Sequence, residues 1–156
     1  MARKDRDGEK TVASNRRARH DFAILETFET GIALTGNEVK SLRGGRASLA
    51  EAFARVRDGE VWLEGMHIPP YEAGDKRSHL PVRPRKLLLH RREIAKLTAA
   101  QQQDRLALVP LRVYFTHGLA KVELALARGR RTHEKRQAIA KREHEREMRR
   151  EVGRRR

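Results

Sequence analysis

Between residues 21 and 28, Phe22, Ile24, Glu26 and Phe28 fall at every second position, the period of a half-buried strand. Gly31 reads as a turn, with 32–34 as a second short strand. The pattern then becomes helical. Val39 and Leu42 share a face, Thr35 and Glu38 have capping-box spacing, and Gly44 is placed to end the helix in a left-handed conformation. Residues 53–57 and 60–66 flank Asp58-Gly59, the two-residue signal of a tight hairpin. Prolines 69, 70, 81 and 84 bracket a long polar loop of the kind that is functional or disordered. Order returns at 86–89. Residues 91–102 then read as a helix with Ile94 and Leu97 inward, although Arg91 and Arg92 oppose its dipole at a cost of ~0.3–1 kcal/mol. The segments 106–116 and 119–128 form a long hairpin around His117-Gly118, with Leu111, Val113 and Phe115 facing Val122, Leu124 and Leu126. Pro110 there predicts an edge or a bulge.

These elements amount to six or seven short strands and two brief helices, without repeats. The fold class expected is mainly β, a small OB-type barrel with two short helices and a basic C-terminal tail that is disordered or helical. From Gly129 the apolar period disappears. Ala138, Ile139, Ala140, Met148 and Val152 are too sparse for a core-facing stripe, yet Glu145 with Arg149 and Glu143 with Arg146 have helical pair spacing, each worth ~0.2–0.5 kcal/mol. The division expected is a flexible basic arm at 1–14, a globular body at 15–128, and a basic tail at 129–156.

Charge sharpens that division. The chain has 36 Lys and Arg against 21 Asp and Glu, a formal net charge of +15. Residues 1–20 hold a net +4, residues 128–156 a net +8, and the 107 residues between only +3. A nearly balanced body between two cationic arms points to a polyanionic partner, and basic arms favour nucleic acid. The longest apolar run, 106–111, is far below the ~20 residues of a membrane span, and no apolar stretch follows the N-terminal basic residues, so a cytoplasmic protein with no membrane partner is expected.

Catalytic chemistry has little support. There is no Cys, and no phosphate-binding glycine loop. His133-Glu134 and His144-Glu145 begin like zinc-protease signatures, but Gln137 and Met148 stand where the second His belongs. A metal site built from His67, His79 and His90 is disfavoured, because dispersed His without carboxylates usually rest on surfaces. No enzyme activity, cofactor or metal is expected. The competing readings are a generic basic ribosomal or RNA-binding protein and, more weakly, a nucleic-acid-processing enzyme.

Several ordered segments carry a family likeness. Asn15-Arg16-Arg17-Ala18-Arg19-His20, Thr35-Gly36-Asn37-Glu38-Val39-Lys40-Ser41-Leu42-Arg43, Arg83-Pro84-Arg85-Lys86-Leu87-Leu88-Leu89-His90, Ala120-Lys121-Val122-Glu123 and Gly129-Arg130-Arg131-Thr132-His133-Glu134-Lys135-Arg136 resemble the small protein B family, in its order and spacing over about 13–150. The resemblance implies an OB-type barrel that binds the tRNA-like domain of tmRNA and delivers it with elongation factor Tu to stalled ribosomes for trans-translation. It implies a monomer when free, and a tail that turns helical in the empty mRNA path. Carried over by position, it places Asn15, His20, Glu29, Leu88, His90 and Lys121 at the tmRNA-facing surface, with Arg128, Arg130 and Arg131 as further RNA contacts. His133, Glu134, Lys135 and Arg136 fall in the segment that approaches the decoding centre. Two positions depart from the family pattern: Glu134 stands for the usual Asp, and Arg105 for a common turn Gly.

Overall fold

A computed structural model describes residues 8–71, 80–103, 106–130 and 132–154. In chain order the elements are β1 (Glu9–Ser14), α1 (Ala18–Asp21), β2 (Phe22–Ile32), α2 (Gly36–Arg43), β3 (Phe53–Arg57), β4 (Glu60–Glu64), β5 (Arg85–Leu88), α3 (Arg91–Gln101), β6 (Leu106–Thr116), β7 (Leu119–Gly129) and α4 (Thr132–Arg154). The molecule is mainly β, with four helices among the described residues. Hydrogen bonding follows the order β1-β6-β3-β4-β5-β2-β7, and β7 returns to pair with β6. Six antiparallel strands thus close an uneven ring, from which β1 extends beside β6. The ring's sparsest pairing is where β3 meets β6, at the single pair Ala54↔Leu108.

Both hairpins form as their turn residues dictate. Asp58 and Gly59 have φ of 52° and 75°, and His117 and Gly118 have 49° and 77°, the left-handed pair that matches strand twist. The capping box of α2 is present, with the Glu38 amide donating to the Thr35 hydroxyl at 3.3 Å and the Thr35 amide donating to Glu38 at 2.9 Å. The left-handed residue after α2 is Gly45, at φ 76°, whereas Gly44 is still right-handed. The left-handed stop therefore comes one residue later than expected.

Other expectations are corrected. Residues 9–14 of the expected flexible arm are a strand: Glu9↔Thr116 through Ser14↔Arg112 pair along β6, where backbone ladder bonds replace water. Gly31 is no turn but lies inside β2, close against Leu88, where a Cβ would come within 3.2 Å of the Leu88 Cβ. The second strand expected at 32–34 merges into β2 at Ile32.

Two bulges alter which side chains face inward. In β2 the register shifts between Ile24 and Glu26, and in β6 between Pro110 and Arg112, the latter being a bulge of the kind that Pro110 predicts. An extra residue reverses the face of everything beyond it. Phe28, Val113 and Phe115 accordingly pack with the interior cluster of Leu63, Leu97, Val122 and Leu124. Phe22, Ile24 and Leu111 belong instead to an outer cluster with Ala18, Val109, Ala125 and Ala127. The short helix α1 covers that second patch.

A buried ionic knot anchors α2 to the ring. Glu38 and Arg85 are both fully buried. The Glu38 carboxylate accepts from Arg83 and from Arg85 Nε, while Arg85 also donates to Met66 O (2.8 Å), Pro81 O (3.3 Å) and Leu80 O (3.4 Å). Burial pushes the Glu38 carboxyl up, but Arg83, the Thr35 amide and Arg85 outweigh it and hold it below the usual carboxylate value. The knot fixes both ends of the 69–84 loop, whose residues 72–79, His79 among them, lie outside the described set.

Candidate RNA-binding surface

Strand register brings several expected residues into rows. Thr11 pairs with Tyr114, Tyr114 with Lys121, Lys121 with Gly31, and Gly31 with Leu88. The next row is Ser14, Arg112, Glu123 and Glu29. Directly paired residues share a face of the sheet. Lys121 and Glu29 therefore stand on one outer wall built from β1, β6, β7 and β2, with Leu88 of β5 at its border.

Ionic contacts fix the side chains of this wall. Arg112, almost fully buried, donates to Glu123 (3.0 Å), Glu9 (2.9 Å) and Thr11 (3.2 Å). Its guanidinium stacks 3.9 Å from the centre of the Tyr114 ring. Burial disfavours the charge on Arg112, and the carboxylates of Glu123 and Glu9 more than compensate, holding it firmly protonated. Burial, then the negative charge of Glu29, pushes the Tyr114 phenol up to about 12. At neutral pH the phenol keeps its proton and hydrogen-bonds Glu29, while Lys121 Nζ lies 4.0 Å from Glu29 Oε1. Glu29 is exposed beside them, and its carboxylate can accept from a base amino group or a 2′-hydroxyl. Leu88 is 52% exposed, beside a small apolar hollow formed with Gly31, Leu34, Val39 and Leu119.

The remaining expected residues lie elsewhere. Asn15 spends its amide on the fold, donating from Nδ2 to Pro110 O at 3.1 Å beside the β6 bulge. The His20 Nδ1 sits 2.8 Å from Asp21 Oδ1. Arg128 is exposed at the end of β7, and the Arg130 amide donates to Asp21 O (2.9 Å), tying the tail root to α1. Arg128 stands toward the far end of the β2–β7 ladder from Lys121, seven residues on and roughly 23 Å away at ~3.3 Å per residue, whereas Asn15 adjoins Ser14 in the row of Glu29. His90 is exposed as the N-cap of α3, its amide donating to Glu93 Oε1 at 3.0 Å. Glu93 thus sets a carboxylate in the first turn, beside Arg91 and Arg92. Arg131 and Arg105 are outside the described residues. His133, Glu134 and Lys135 lie within α4, their side chains not among those described, and Arg136 is exposed there.

No group of three or more metal-ligating side chains occurs among the described residues, and no described helix is long and apolar enough to cross a membrane. A family model described as SmpB protein matches residues 12–154. The chain belongs to the SmpB protein family. An SsrA-binding protein of Mycobacterium sp. (strain KMS) is 61% identical over 154 residues, covering 99% of this chain and 91% of the relative. One from Thermobifida fusca (strain YX) is 58% identical over 160 residues, with both chains covered in full. A solved structure described as "tmRNA-SmpB: a journey to the center of the bacterial ribosome" is similar with a TM-score of 0.65 and 51% identity, over 81% of this chain and 92% of that one.

In this SmpB chain, sequence reasoning passed over Tyr114, Arg112, Glu123 and Glu9 as parts of the surface. One signal was available. Arg112 and Tyr114 alternate with Val113 and Phe115 on β6, a polar face opposite an apolar one. Strict alternation obscures it by putting Leu111 on the face of Val113, which the bulge at Pro110 contradicts.

Proposed function

We propose that this chain binds the tRNA-like domain of tmRNA and, with elongation factor Tu, delivers it to stalled ribosomes in the cytoplasm for trans-translation. Membership of the SmpB family, with relatives named SsrA-binding protein at about 60% identity along nearly the whole chain, carries this reading. The ring is taken as an OB-type barrel, and residues 15–128 as the RNA-binding body, with Glu29, Leu88, His90 and Lys121 meeting the RNA. Asn15, His20, Arg128, Arg130 and Arg131 extend the contact toward the tail root. The protein acts as a monomeric adaptor with no catalysis of its own.

The tail has a separate task. Every side chain of α4 that the structure describes is exposed. A helix that buries none of these side chains against its own body is available to an outside partner, and its Lys and Arg suit ribosomal RNA. Residues 129–156 enter the vacant mRNA path as a helix, with His133, Glu134, Lys135 and Arg136 near the decoding centre.

The direct test is reconstituted translation on an mRNA lacking a stop codon, with tmRNA and elongation factor Tu supplied. Tagged polypeptide should form only when the chain is added. Absence of the tag with the folded chain present would overturn the reading.

A further inference from the structure

Beside β1 lies an open groove of about 460 Å³, bounded by residues 11–17 on one side and 47–50 on the other. None of its lining residues is acidic. Arg16 and Arg17 are both exposed, and among the described residues neither forms an ion pair. Ser14 and Ser48 are exposed as well. The Ser48 hydroxyl accepts from the Ala50 amide at 3.3 Å, which leaves its own proton to donate outward. Two cations and two hydroxyls around an acid-free concavity form a site for anionic oxygen. Its open form, with seven consecutive residues, 11–17, along its lining, suits a polymer backbone better than a single ion.

Its place in the sheet connects it with the Lys121 surface. Thr11 is in the row of Tyr114, Lys121 and Gly31, and Ser14 in the row of Arg112, Glu123 and Glu29. Two inter-strand spacings, about 10 Å, separate the backbone at Thr11 from that at Lys121. One RNA lying across the wall reaches both.

We propose that this groove is a phosphodiester subsite for the same tRNA-like RNA, with Arg16 and Arg17 as its cationic contacts and the Ser14 and Ser48 hydroxyls as donors. The proposal rests on the RNA-binding reading above and adds a second line of contact to it. Lys121 and Glu29 hold one part of the RNA, and the groove holds its backbone farther along, fixing its angle on the body.

The test compares full-length wild-type chain with Arg16→Gln/Arg17→Gln, titrated against the tRNA-like domain of tmRNA over a range of salt. Removing one cation from a phosphate should flatten the log–log salt slope by roughly 0.9, so the double variant is expected to be shallower by about two. Arg55→Gln/Arg57→Gln removes the same charge from the outer face of the β3–β4 hairpin, outside the groove, and should leave the slope close to wild type. Equal flattening by both pairs would reduce the effect to net charge and overturn the subsite. So would an unchanged slope in the groove variant, or a loss confined to ribosome binding. Should the Arg pair disturb folding, Ala50→Glu places a carboxylate in the intact groove and should weaken RNA binding; unaltered binding would again overturn it. Wild-type preference for the tRNA-like domain over bulk tRNA is read from the same samples. If that preference is absent the functional reading fails, while the slope on whichever RNA binds still decides the groove.

Discussion

Deleting residues 133–156 is expected to abolish tagging on stalled ribosomes while leaving most of the affinity for the tRNA-like domain of tmRNA. The deletion removes ten basic and five acidic residues, a third of the formal net charge. Among the described residues it takes away nothing that the interior cluster or the β1–β6–β7–β2 wall rests on, because those side chains of α4 are exposed and the tail root is tied to α1 through Arg130 and Asp21. Thermal unfolding should therefore be nearly unchanged. RNA affinity should drop only by the unspecific share that extra cations add, a share that fades as salt rises. Gel-shift titration and a tagging assay on the same preparation separate the two effects. Full tagging by the truncated chain would refute a division of labour between body and tail.

The second large effect concerns stability. Glu38→Ala is expected to destabilise the body by about 3–5 kcal/mol, because Arg85 stays buried with its carboxylate partner gone. Glu38→Gln keeps the shape and a hydrogen-bond acceptor but removes the charge, and should cost less. The knot also predicts an acid response. The folded Glu38 carboxyl lies below its ordinary value of 4.5, so its stabilising contribution is complete above that pH and is lost as pH falls through the folded value. Wild type and Glu38→Gln should therefore differ in Tm at neutral pH and converge in acid. Thermal melts across that range provide the check, and a gap that stays constant with pH would contradict the assigned linkage.

Much of the architecture was legible where local chemistry permits one answer. Asp58-Gly59 and His117-Gly118 announce tight turns because few residue pairs tolerate two left-handed conformations, and Thr35 with Glu38 announces a helix start. The bulge at Leu25 carries no signal, and Pro110, which announces an edge or a bulge, does not say which faces reverse beyond it. One added residue turns a strand over without changing its apolar content, so Phe22 and Ile24 share a period with Phe28 but not its face. β1 was hidden for another reason. Its residues have little apolar signal of their own, and its order comes from the β6 ladder and the contact of Glu9 with Arg112. Burial of Arg85 and Glu38 also escaped the sequence, since charged side chains are ordinarily exposed and only the folded ring encloses them together.

For the surface, Glu29, Leu88 and Lys121 came from family likeness, with no pattern along the chain to join them. They span 92 positions, and only strand register places them in adjoining rows. Arg112 and Tyr114, which order that surface, carry no motif at all.

The most direct measurement is competition at physiological salt, where cation-driven sticking is weakest. Labelled tRNA-like domain is held by the full chain and challenged with a large excess of bulk tRNA. The account predicts that the complex persists, because the proposed contacts of Glu29 and Lys121 would read more than phosphate. Displacement by bulk tRNA as readily as by unlabelled tRNA-like domain would contradict it and leave a general basic RNA binder.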